Sequence, residues 1–586
     1  MNEPPTALVG FGVHFESFRL LLRPLRLWKG AWHILRVKMA DGGTPRSIDE
    51  LSLTTRAAHL ARMQSETFDI AVIGGGITGA GVALDAATRG LSVALVEKRD
   101  FASGTSSRSS KLIHGGLRYL ESFHFGLVRE SLHERAVLSR MAPHLSKPLR
   151  FLVPVYSSKE RSPLGSNKLK LSIGLWLYDF LAGSQNIEGH RWLSPDEAVH
   201  LAPALDRAGL RGAFIYCDCL TDDSRLVIEV IKAAASHGAL AANYAAVRAL
   251  RKDDRGTIVQ IEDEPTGRSF ELRARVVVNA AGVWSDEVSR LSDTNASRKL
   301  RPSKGIHVVL PSEKFQNQTA VLIPSLGENR FLFVIPWQGR TVVGTTDADY
   351  SGDLDEPRAE PLEVGRVVES AARAFPAAKL SSEDVISTFA GLRPLIAAAG
   401  ESTKDVSRKE EIFENEQGLL TITGGKLTTW RGMAERVVDL AGRRLESLDG
   451  VARPNAHHSS TENVRLAGGS VAGAEDEAAA AAREFDIPIT TVEHLIGGYG
   501  GNYRVVLELT REAEHLKSRL IVGLPHIEAE AVYAARYEMA ATVEDFLSRR
   551  TRIELLARDR GRSCAERVAS LLASETDGAR SEDCFP

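Results

Sequence analysis

Three glycines follow an apolar run at a spacing that could hold a dinucleotide. Gly74, Gly76 and Gly79 form G-x-G-x-x-G directly after the run Ile70–Ile73. Glu97 ends a second apolar run roughly 20 residues further along the chain. Glycines of this kind let a pyrophosphate approach the backbone, and the helix that starts there stabilises its charge. Because Glu97 can accept both ribose hydroxyls, the pattern favours an adenosine diphosphate cofactor and leaves NAD and FAD open.

Two further glycine turns lie far along the chain and help to separate these two cofactors. AAGVW at Ala280–Trp284 and TGGKLTT at Thr423–Thr429 each follow a run of β-type residues. Both turns are expected to return to the same sheet edge, where an extended cofactor needs distant contacts and a single NAD half-site does not. The sequence contains no second G-x-G-x-x-G for a separate nicotinamide nucleotide. FAD is therefore the favoured cofactor.

The composition is that of an ordinary globular protein and excludes several classes. The 586 residues predict about two to four domains, and 43% apolar and 25% charged residues argue against wholesale disorder. A net charge of −3 gives no general attraction to nucleic acid. The sequence contains no run of about 18 uncharged apolar residues, so no membrane span is predicted. Four cysteines suit a reducing compartment. Cys217 and Cys219 lack a zinc-type spacing, so no metal site is expected.

The N-terminal residues are open to more than one interpretation. Residues 14–38 mix arginine and lysine with Leu, Trp and Phe, which is typical of a helix lying on an anionic lipid surface. The scattered charges exclude a signal peptide. Alternatively, translation starts at Met63, just before the first predicted strand, or the extension has no fixed structure.

The order of predicted elements indicates an α/β chain followed by an all-helical region. A Rossmann-like FAD-binding domain is expected to be discontinuous, because other segments interrupt its strands and glycine turns. The β-branched, alternating runs in 301–350 predict an antiparallel sheet, and the Ala-, Glu- and Arg-rich pattern beyond Ala452 predicts helices. The expected segments are an N-terminal extension at 1–67, FAD-binding parts at 68–150, 216–295 and 411–450, a substrate-domain insertion at 151–215, an antiparallel substrate-binding domain at 296–410 and a C-terminal helical domain at 455–580.

Seven motifs occur in an order that resembles a known family. They are GGGITGAG, TSSRSSKLIHGGLRYLE, TDDSRL, SKGIHVVLP, FVIPWQGRTVVGTTD, AGLRPLI and TGGKLTTWR. Together they resemble the FAD-dependent, quinone-linked glycerol-3-phosphate dehydrogenases of the D-amino-acid oxidase-like superfamily, over residues 68–575. The resemblance implies oxidation of sn-glycerol 3-phosphate to dihydroxyacetone phosphate, with electrons passed to ubiquinone or menaquinone. It also implies a peripheral enzyme on the cytoplasmic face of the inner membrane, and a homodimer is left open.

The resemblance also implies roles for particular residues. It assigns substrate binding to four residues, which are Arg118, Tyr119, Arg393 and Arg408. It assigns catalysis to three, which are His114, His307 and Lys426. The expected FAD contacts are Gly74, Gly75, Gly76, Ile77, Thr78, Gly79, Glu97, Lys98, Ser106, Ser107, Ser109, Ser110, Lys111, Leu112, His114, Gly115, Gly116, Ala281, Gly282, Gly424, Gly425, Lys426, Leu427 and Thr428.

Several of these roles have a plainer alternative. His114 is the first candidate for the general base and His307 the second, but either could be structural. Arg393 lies in an apolar stretch, where an unpaired guanidinium is costly and an anionic ligand would explain it. Arg408 could be an ordinary surface charge, and Asp347 is expected to close a turn or, alternatively, to line the site.

Alternatives also remain for the activity as a whole. The first is a glycerophosphate oxidase that uses O₂, and the second is a related flavoenzyme acting on an amino or 2-hydroxy acid. The third is a flavin-binding protein without catalysis. Acceptor choice depends on access to the flavin, which the sequence does not reveal.

Overall fold

The computed structural model describes residues 51–328, 330–396, 410–450, 458–470 and 473–581. The basic, apolar stretch 14–38 and the predicted substrate ligand Arg408 lie outside these residues. Two large sheets form the centre of the described part of the chain.

The first sheet has a parallel core with antiparallel strands added to it. Its strands are β1 Thr67–Ile73, β2 Val93–Val96, β7 Leu240–Ala242, β8 Ala245–Asp253, β9 Gly256–Asp263, β10 Arg268–Asn279, β17 Glu411–Glu414 and β18 Leu419–Thr423. The spatial order is β17-β18-β10-β1-β2-β7. β17 pairs antiparallel with β18 at one edge, and β8 and β9 extend β10 as an antiparallel ladder. Strands β1 and β2 are apolar and largely buried, as expected for a parallel sheet covered on both faces.

The second sheet is mostly antiparallel. Its strands are β3 Leu112–Ile113, β4 Lys147–Tyr156, β5 Arg191–Leu193, β6 Leu210–Leu220, β11 Ser303–Pro311, β12 Ala320–Pro324, β13 Phe331–Trp337, β14 Arg340–Gly344, β15 Ala348–Asp349 and β16 Ser387–Arg393. The spatial order is β15-β11-β14-β13-β12-β4-β6-β3. β16 also pairs with β11 and β5 with β6, whereas β12 and β4 run parallel. The alternating pattern of 301–350 thus forms antiparallel pairs, as predicted.

Helices cover the sheets and make up the C-terminal region. They are α1 Leu53–Ser65, α2 Ile77–Thr88, α3 Phe125–Met141, α4 Lys168–Ala182, α5 Pro195–Leu201, α6 Asp223–Ser236, α7 Ser285–Ser292, α8 Pro361–Ala374, α9 Trp430–Asp449, α10 Ala474–Phe485, α11 Ile489–Tyr499, α12 Tyr503–Leu509, α13 Ala529–Glu538, α14 Ile553–Leu556 and α15 Ala565–Ser581, with a π-helix at Asp545–Arg550. The α/β class with a helical C-terminal region is confirmed. The domain boundaries given above stay a prediction.

Part of the predicted N-terminal extension is folded. α1 has a capping box at Ser52, and its Met63 is fully buried beside the first sheet. Arg56 pairs with Asp263 at 2.6 Å, and the His59 ring contacts the Ala241 carbonyl at 2.9 Å. Residues 51–67 of the predicted extension are therefore folded against the first sheet, and the segment boundary at residue 67 stays a prediction.

Among the residues that the structure describes, every helix is too short or too polar to span a lipid bilayer.

Candidate active site

The turn after β1 leaves no room for side chains. Gly74 has a φ of +114°, and a Cβ there would lie 2.6 Å from the Ala280 carbonyl oxygen. A Cβ on Gly79 would lie 1.8 Å from the carbonyl oxygen of Gly74, so the first turn of α2 sits directly on the glycine turn. This is the close packing and open backbone that a bound pyrophosphate needs.

Polar side chains fix the geometry of this turn. The Glu97 carboxylate accepts hydrogen bonds from the Gly75 N–H at 2.6 Å and the Arg99 N–H at 2.9 Å. Burial raises the pKa of Glu97, and these backbone donors oppose the rise. The Ser106 hydroxyl accepts from the Ile77 N–H at 2.9 Å, at the start of α2. The loop after β2 is thereby tied to the glycine turn.

A first cavity of about 550 Å³ runs along this sheet edge. Most of the predicted FAD contacts line it, namely Gly74, Gly76, Ile77, Thr78, Glu97, Lys98, Ser106, Ser109, Ser110, Leu112, His114, Ala281, Gly282, Gly424, Gly425, Lys426 and Leu427. The two distant glycine turns thus meet the fingerprint at one cavity. A cavity that combines a glycine cradle, the Glu97 carboxylate and two further glycine turns fits FAD.

The other predicted contacts lie behind this wall or beside it, and they are Gly75, Gly79, Ser107, Lys111, Gly115, Gly116 and Thr428. The Thr428 hydroxyl accepts from the His114 N–H at 3.1 Å and donates to the His114 carbonyl at 3.2 Å. Lys111 is fully buried and its ammonium group donates to Asp223 at 2.8 Å, away from the cavity. These residues can shape the first cavity without lining it, and one of them, Gly116, lines the neighbouring second cavity.

A second cavity of about 990 Å³ adjoins the first. Six residues line both cavities, and they are Ser110, Leu112, His114, Tyr119, Thr345 and Arg393. The second cavity also has the exposed Arg118 at its wall, together with Arg330 and Asp347. The predicted substrate ligands Arg118, Tyr119 and Arg393 therefore surround one space that opens onto the first cavity.

Arg393 is held by an array of acceptors at the junction of the two cavities. Its Nη1 donates to Asp347 at 3.1 Å and to the Ser303 hydroxyl at 3.3 Å. Its Nη2 donates to the Thr345 hydroxyl and the Thr346 carbonyl, each at 3.1 Å. The side chain is still 21% exposed. Its guanidinium is thus oriented by protein groups while one side faces the cavity.

Asp347 and Arg330 extend this arrangement. Asp347, which was expected either to close a turn or to line the site, lies on the second cavity, and its nearly buried carboxylate pairs with Arg393 and with Arg330 at 3.3 Å. Arg330 was not among the predicted site residues. It directly precedes the apolar strand β13, and a charged residue at that position is a signal that could have marked it as a candidate. The second cavity therefore carries two guanidiniums joined by one carboxylate.

His307 is buried beside the junction. Its Nε2 lies 2.9 Å from the Ser110 hydroxyl, and its ring stacks on Phe389 with centroids 4.6 Å apart. Burial lowers the pKa of His307 well below 6.5, and the charges of Lys111 and Arg393 lower it further. The imidazole is therefore neutral at pH 7.

Lys426 and Tyr119 form a third side of the junction. The Lys426 ammonium lies 3.9 Å from the centre of the Tyr119 ring and donates to the Ser131 hydroxyl at 3.1 Å. His114 lies on the wall of both cavities. The structure thus brings the three predicted catalytic residues to one region, and their roles stay a prediction.

A buried ion network braces the serine-rich loop from the C-terminal region. Asp223 accepts from the Ser109 N–H at 2.9 Å and its hydroxyl at 2.7 Å, and it also pairs with Lys111. Arg552 pairs with Asp223 and donates to the Ser107 carbonyl at 3.2 Å. Asp223 lies in the motif TDDSRL that carries the resemblance, but nothing in the sequence linked it to Arg552.

Comparison with known proteins identifies the family. Residues 69–440 match the family model described as FAD dependent oxidoreductase, and residues 459–581 match the C-terminal domain of alpha-glycerophosphate oxidase. Glycerol-3-phosphate dehydrogenase 2 of Mycobacterium tuberculosis is 39% identical over 92% of this chain and 90% of its own. Aerobic glycerol-3-phosphate dehydrogenase of Staphylococcus saprophyticus is 37% identical over 83% of this chain and 87% of its own.

A solved structure agrees with these matches. The glycerol-3-phosphate dehydrogenase of Bacillus halodurans, crystallised with FAD, superposes with a TM-score of 0.72 at 32% identity, and covers 91% of this chain and 97% of that one. The prediction of FAD as the cofactor is confirmed by this neighbour and by the matched family model. Since the relatives share most of their length with it, the chain belongs to the family of FAD-dependent glycerol-3-phosphate dehydrogenases.

Proposed function

We propose that the protein oxidises sn-glycerol 3-phosphate to dihydroxyacetone phosphate and passes the electrons to a membrane quinone. The observation that carries this proposal is the position of Arg393, oriented by Asp347 on the wall shared by both cavities. The names of the relatives support the same substrate.

In this proposal the second cavity binds the phosphate. A dianionic phosphate suits guanidinium groups, and Arg393 and Arg330 offer two in one space. The acceptors around Arg393 hold its fork in place before substrate arrives, which lowers the entropic cost of binding. Arg118 stands at the exposed wall, and Arg408 is a further ligand implied by resemblance. The carbon chain would then point toward the first cavity.

The chemistry at the junction is removal of a hydride and a proton from a secondary alcohol. FAD bound in the first cavity supplies the acceptor for the C2 hydride. The hydroxyl proton goes to a histidine, with His114 as the first candidate and His307 as the second. The Ser110 hydroxyl lines both cavities and contacts His307, so it can relay the proton to that ring. Lys426 would stabilise the negative charge that develops on the oxygen.

Anaerobic titration of the purified protein tests the substrate. Bound FAD should bleach on adding glycerol 3-phosphate and stay oxidised with D-amino acids or 2-hydroxy acids. Reoxidation by a quinone analogue faster than by air would support the proposed acceptor. Bleaching by a D-amino acid, with none by glycerol 3-phosphate, would overturn the substrate, and preferential reoxidation by O₂ would indicate an oxidase.

The environment of His307 makes a prediction about pH. Because protonation would add a charge to a buried ring beside Lys111 and Arg393, His307 keeps its neutral form well below pH 6.5. If His307 is the base, the limiting rate of anaerobic FAD reduction should show no loss near pH 6.5 and should fall only at clearly lower pH. Stopped-flow measurement at saturating substrate reports this rate. An acid limb centred near 6.5 that disappears in His307→Gln would contradict the expectation.

An exposed apolar stripe on α4 supports attachment to a membrane surface. Leu169, Ile173, Trp176 and Phe180 recur on one helix face and are 58% to 70% exposed. Phe123 and Phe125, at the wall of the second cavity, are also exposed. Lysines at the start of α4 would favour anionic lipid headgroups. We propose that this stripe rests on the cytoplasmic face of the inner membrane, which would bring quinone near the site.

Flotation with anionic liposomes tests the stripe. A variant with Ser at Leu169, Ile173, Trp176 and Phe180 should stay at the bottom of the gradient, whereas wild type should float. Val522 and Ile489 are exposed apolar residues of the C-terminal region, and Val522→Ser with Ile489→Ser serves as the control. Reduction of FAD by substrate should be unchanged in both variants. Equal flotation of all three proteins would exclude the stripe as the contact.

A further inference from the structure

We propose that His494, His526 and Glu530 form a binding site for a divalent transition-metal ion, best suited to Zn²⁺, in the C-terminal helical region. This site is separate from both cavities, and the inference does not depend on the proposed reaction. The sequence predicted no metal site. His494 lies in α11, His526 lies just before α13 and Glu530 lies in α13, so the three ligands do not form a short, recognisable motif.

The three side chains converge closely enough to share an ion. One ligand atom from each residue lies within 4.8 Å of the other two. The His494 Nε2 and a Glu530 carboxylate oxygen are 3.1 Å apart, near the spacing of about 3.3 Å between ligand atoms of a tetrahedral zinc site. The two imidazole rings meet edge to face with centroids 4.2 Å apart. A small movement of the His526 ring would complete the set.

His526 gives the second, independent observation. Its side chain is 1% exposed, and neither ring nitrogen has a hydrogen-bond partner of good geometry among the described residues. A buried polar group without a partner is costly, and most such groups in proteins turn out to be satisfied. A buried ring nitrogen without a partner has a lone pair available for a metal ion, and imidazole is the commonest metal ligand among side chains.

The surroundings suit a ligating carboxylate and imidazole. The Tyr499 hydroxyl donates to one Glu530 oxygen at 2.9 Å, and the Ile527 N–H donates to the other at 2.9 Å. The backbone of Thr551 offers the His526 ring a weak hydrogen bond. Outer partners of this type orient the ligands of protein metal sites.

The ligand set also selects among metals. Two imidazoles and one carboxylate favour Zn²⁺ or a similar first-row ion over Ca²⁺ and Mg²⁺, which prefer oxygen ligands. His494 is partly exposed, so an ion can reach the site and a water can supply the fourth ligand. An ion here would join α11 to the start of α13 and stabilise the C-terminal region.

Cobalt titration of the full-length flavoprotein tests the site. After dialysis against a chelator, wild type should bind one Co²⁺ with visible absorption bands of tetrahedral type, and Zn²⁺ should displace it and raise the Tm. His526→Gln and Glu530→Gln should lose the bands, while His515→Gln should keep them. His515 faces Glu528 at 2.9 Å in the same region, with no third ligand among the described residues, which makes it a matched control.

Each result of the cobalt titration either supports or overturns the metal site. Absence of tetrahedral Co²⁺ bands in wild type, or bands that persist in His526→Gln, would overturn the inference. Should a variant fail to fold, the Tm of wild type with Zn²⁺ against chelator decides, and no difference overturns it. FAD reduction by glycerol 3-phosphate is followed in the same samples, so failure of the metal site is distinguishable from failure of the proposed function.

Discussion

Replacement of Gly79 by alanine is expected to yield protein that purifies without FAD. The new Cβ would lie 1.8 Å from the Gly74 carbonyl oxygen, a backbone atom that cannot move without opening the glycine turn. Overpacking of this kind costs about 3 kcal/mol or more, which corresponds to roughly a hundredfold weaker cofactor binding. Flavin absorbance per protein after gel filtration, and fluorescence titration with added FAD, measure the loss.

Gly365→Ala provides the matched control. Gly365 lies inside α8, and a Cβ there meets nothing within 4 Å. Alanine at an open helix position should keep FAD and leave stability equal or slightly higher. If Gly79→Ala retains FAD at the level of Gly365→Ala, the turn is not the phosphate cradle.

Arg393→Ala is expected to lower kcat/KM for glycerol 3-phosphate by about 10²- to 10³-fold with FAD retained. The reason is that truncating one partner of a close charge pair typically costs about 2–5 kcal/mol. Arg393→Lys keeps the charge but not the two-pronged donor geometry, so we expect an intermediate loss. Steady-state assays with an artificial acceptor measure both variants.

Arg301→Ala is the control for this prediction. Arg301 lies near the same end of the second sheet and pairs with Asp349, but its side chain is 42% exposed and does not line either cavity. Its loss should change kcat/KM by less than about threefold, as for an ordinary surface ion pair. Equal losses in Arg301→Ala and Arg393→Ala would show that the effect is not specific to the junction.

The cofactor cradle could be predicted from sequence because its signals are local. The close approach of Gly79 to Gly74 depends on residues five positions apart, and Glu97 follows from the length of one βα unit. The distant turns at Gly282 and Gly424 were also anticipated, since parallel strands end at one sheet edge. Each of these features is fixed by strand order rather than by individual side chains.

The contacts that support the second cavity and the serine-rich loop could not be predicted from the sequence in the same way. The contact of Arg552 with Asp223 joins residues 329 positions apart, and no local pattern encodes it. Lys111 was expected at FAD, but its positive φ turns the side chain into the interior, toward Asp223. Asp347 pairs with Arg393 because β15, which directly follows Asp347, and β16, which ends at Arg393, both pair with β11 at Ser303, a register that only the folded chain defines. The Arg408 assignment falls outside the described residues.

The most direct test of the account combines a truncated substrate with a truncated enzyme. The rate of anaerobic FAD reduction is measured for wild type and Arg393→Ala, each with glycerol 3-phosphate and with glycerol. If Arg393 binds the phosphate, wild type should strongly prefer glycerol 3-phosphate, and the variant should lose most of that preference while its slow reaction with glycerol is unchanged. The same preference in both proteins would contradict the account, because the phosphate would then be recognised elsewhere.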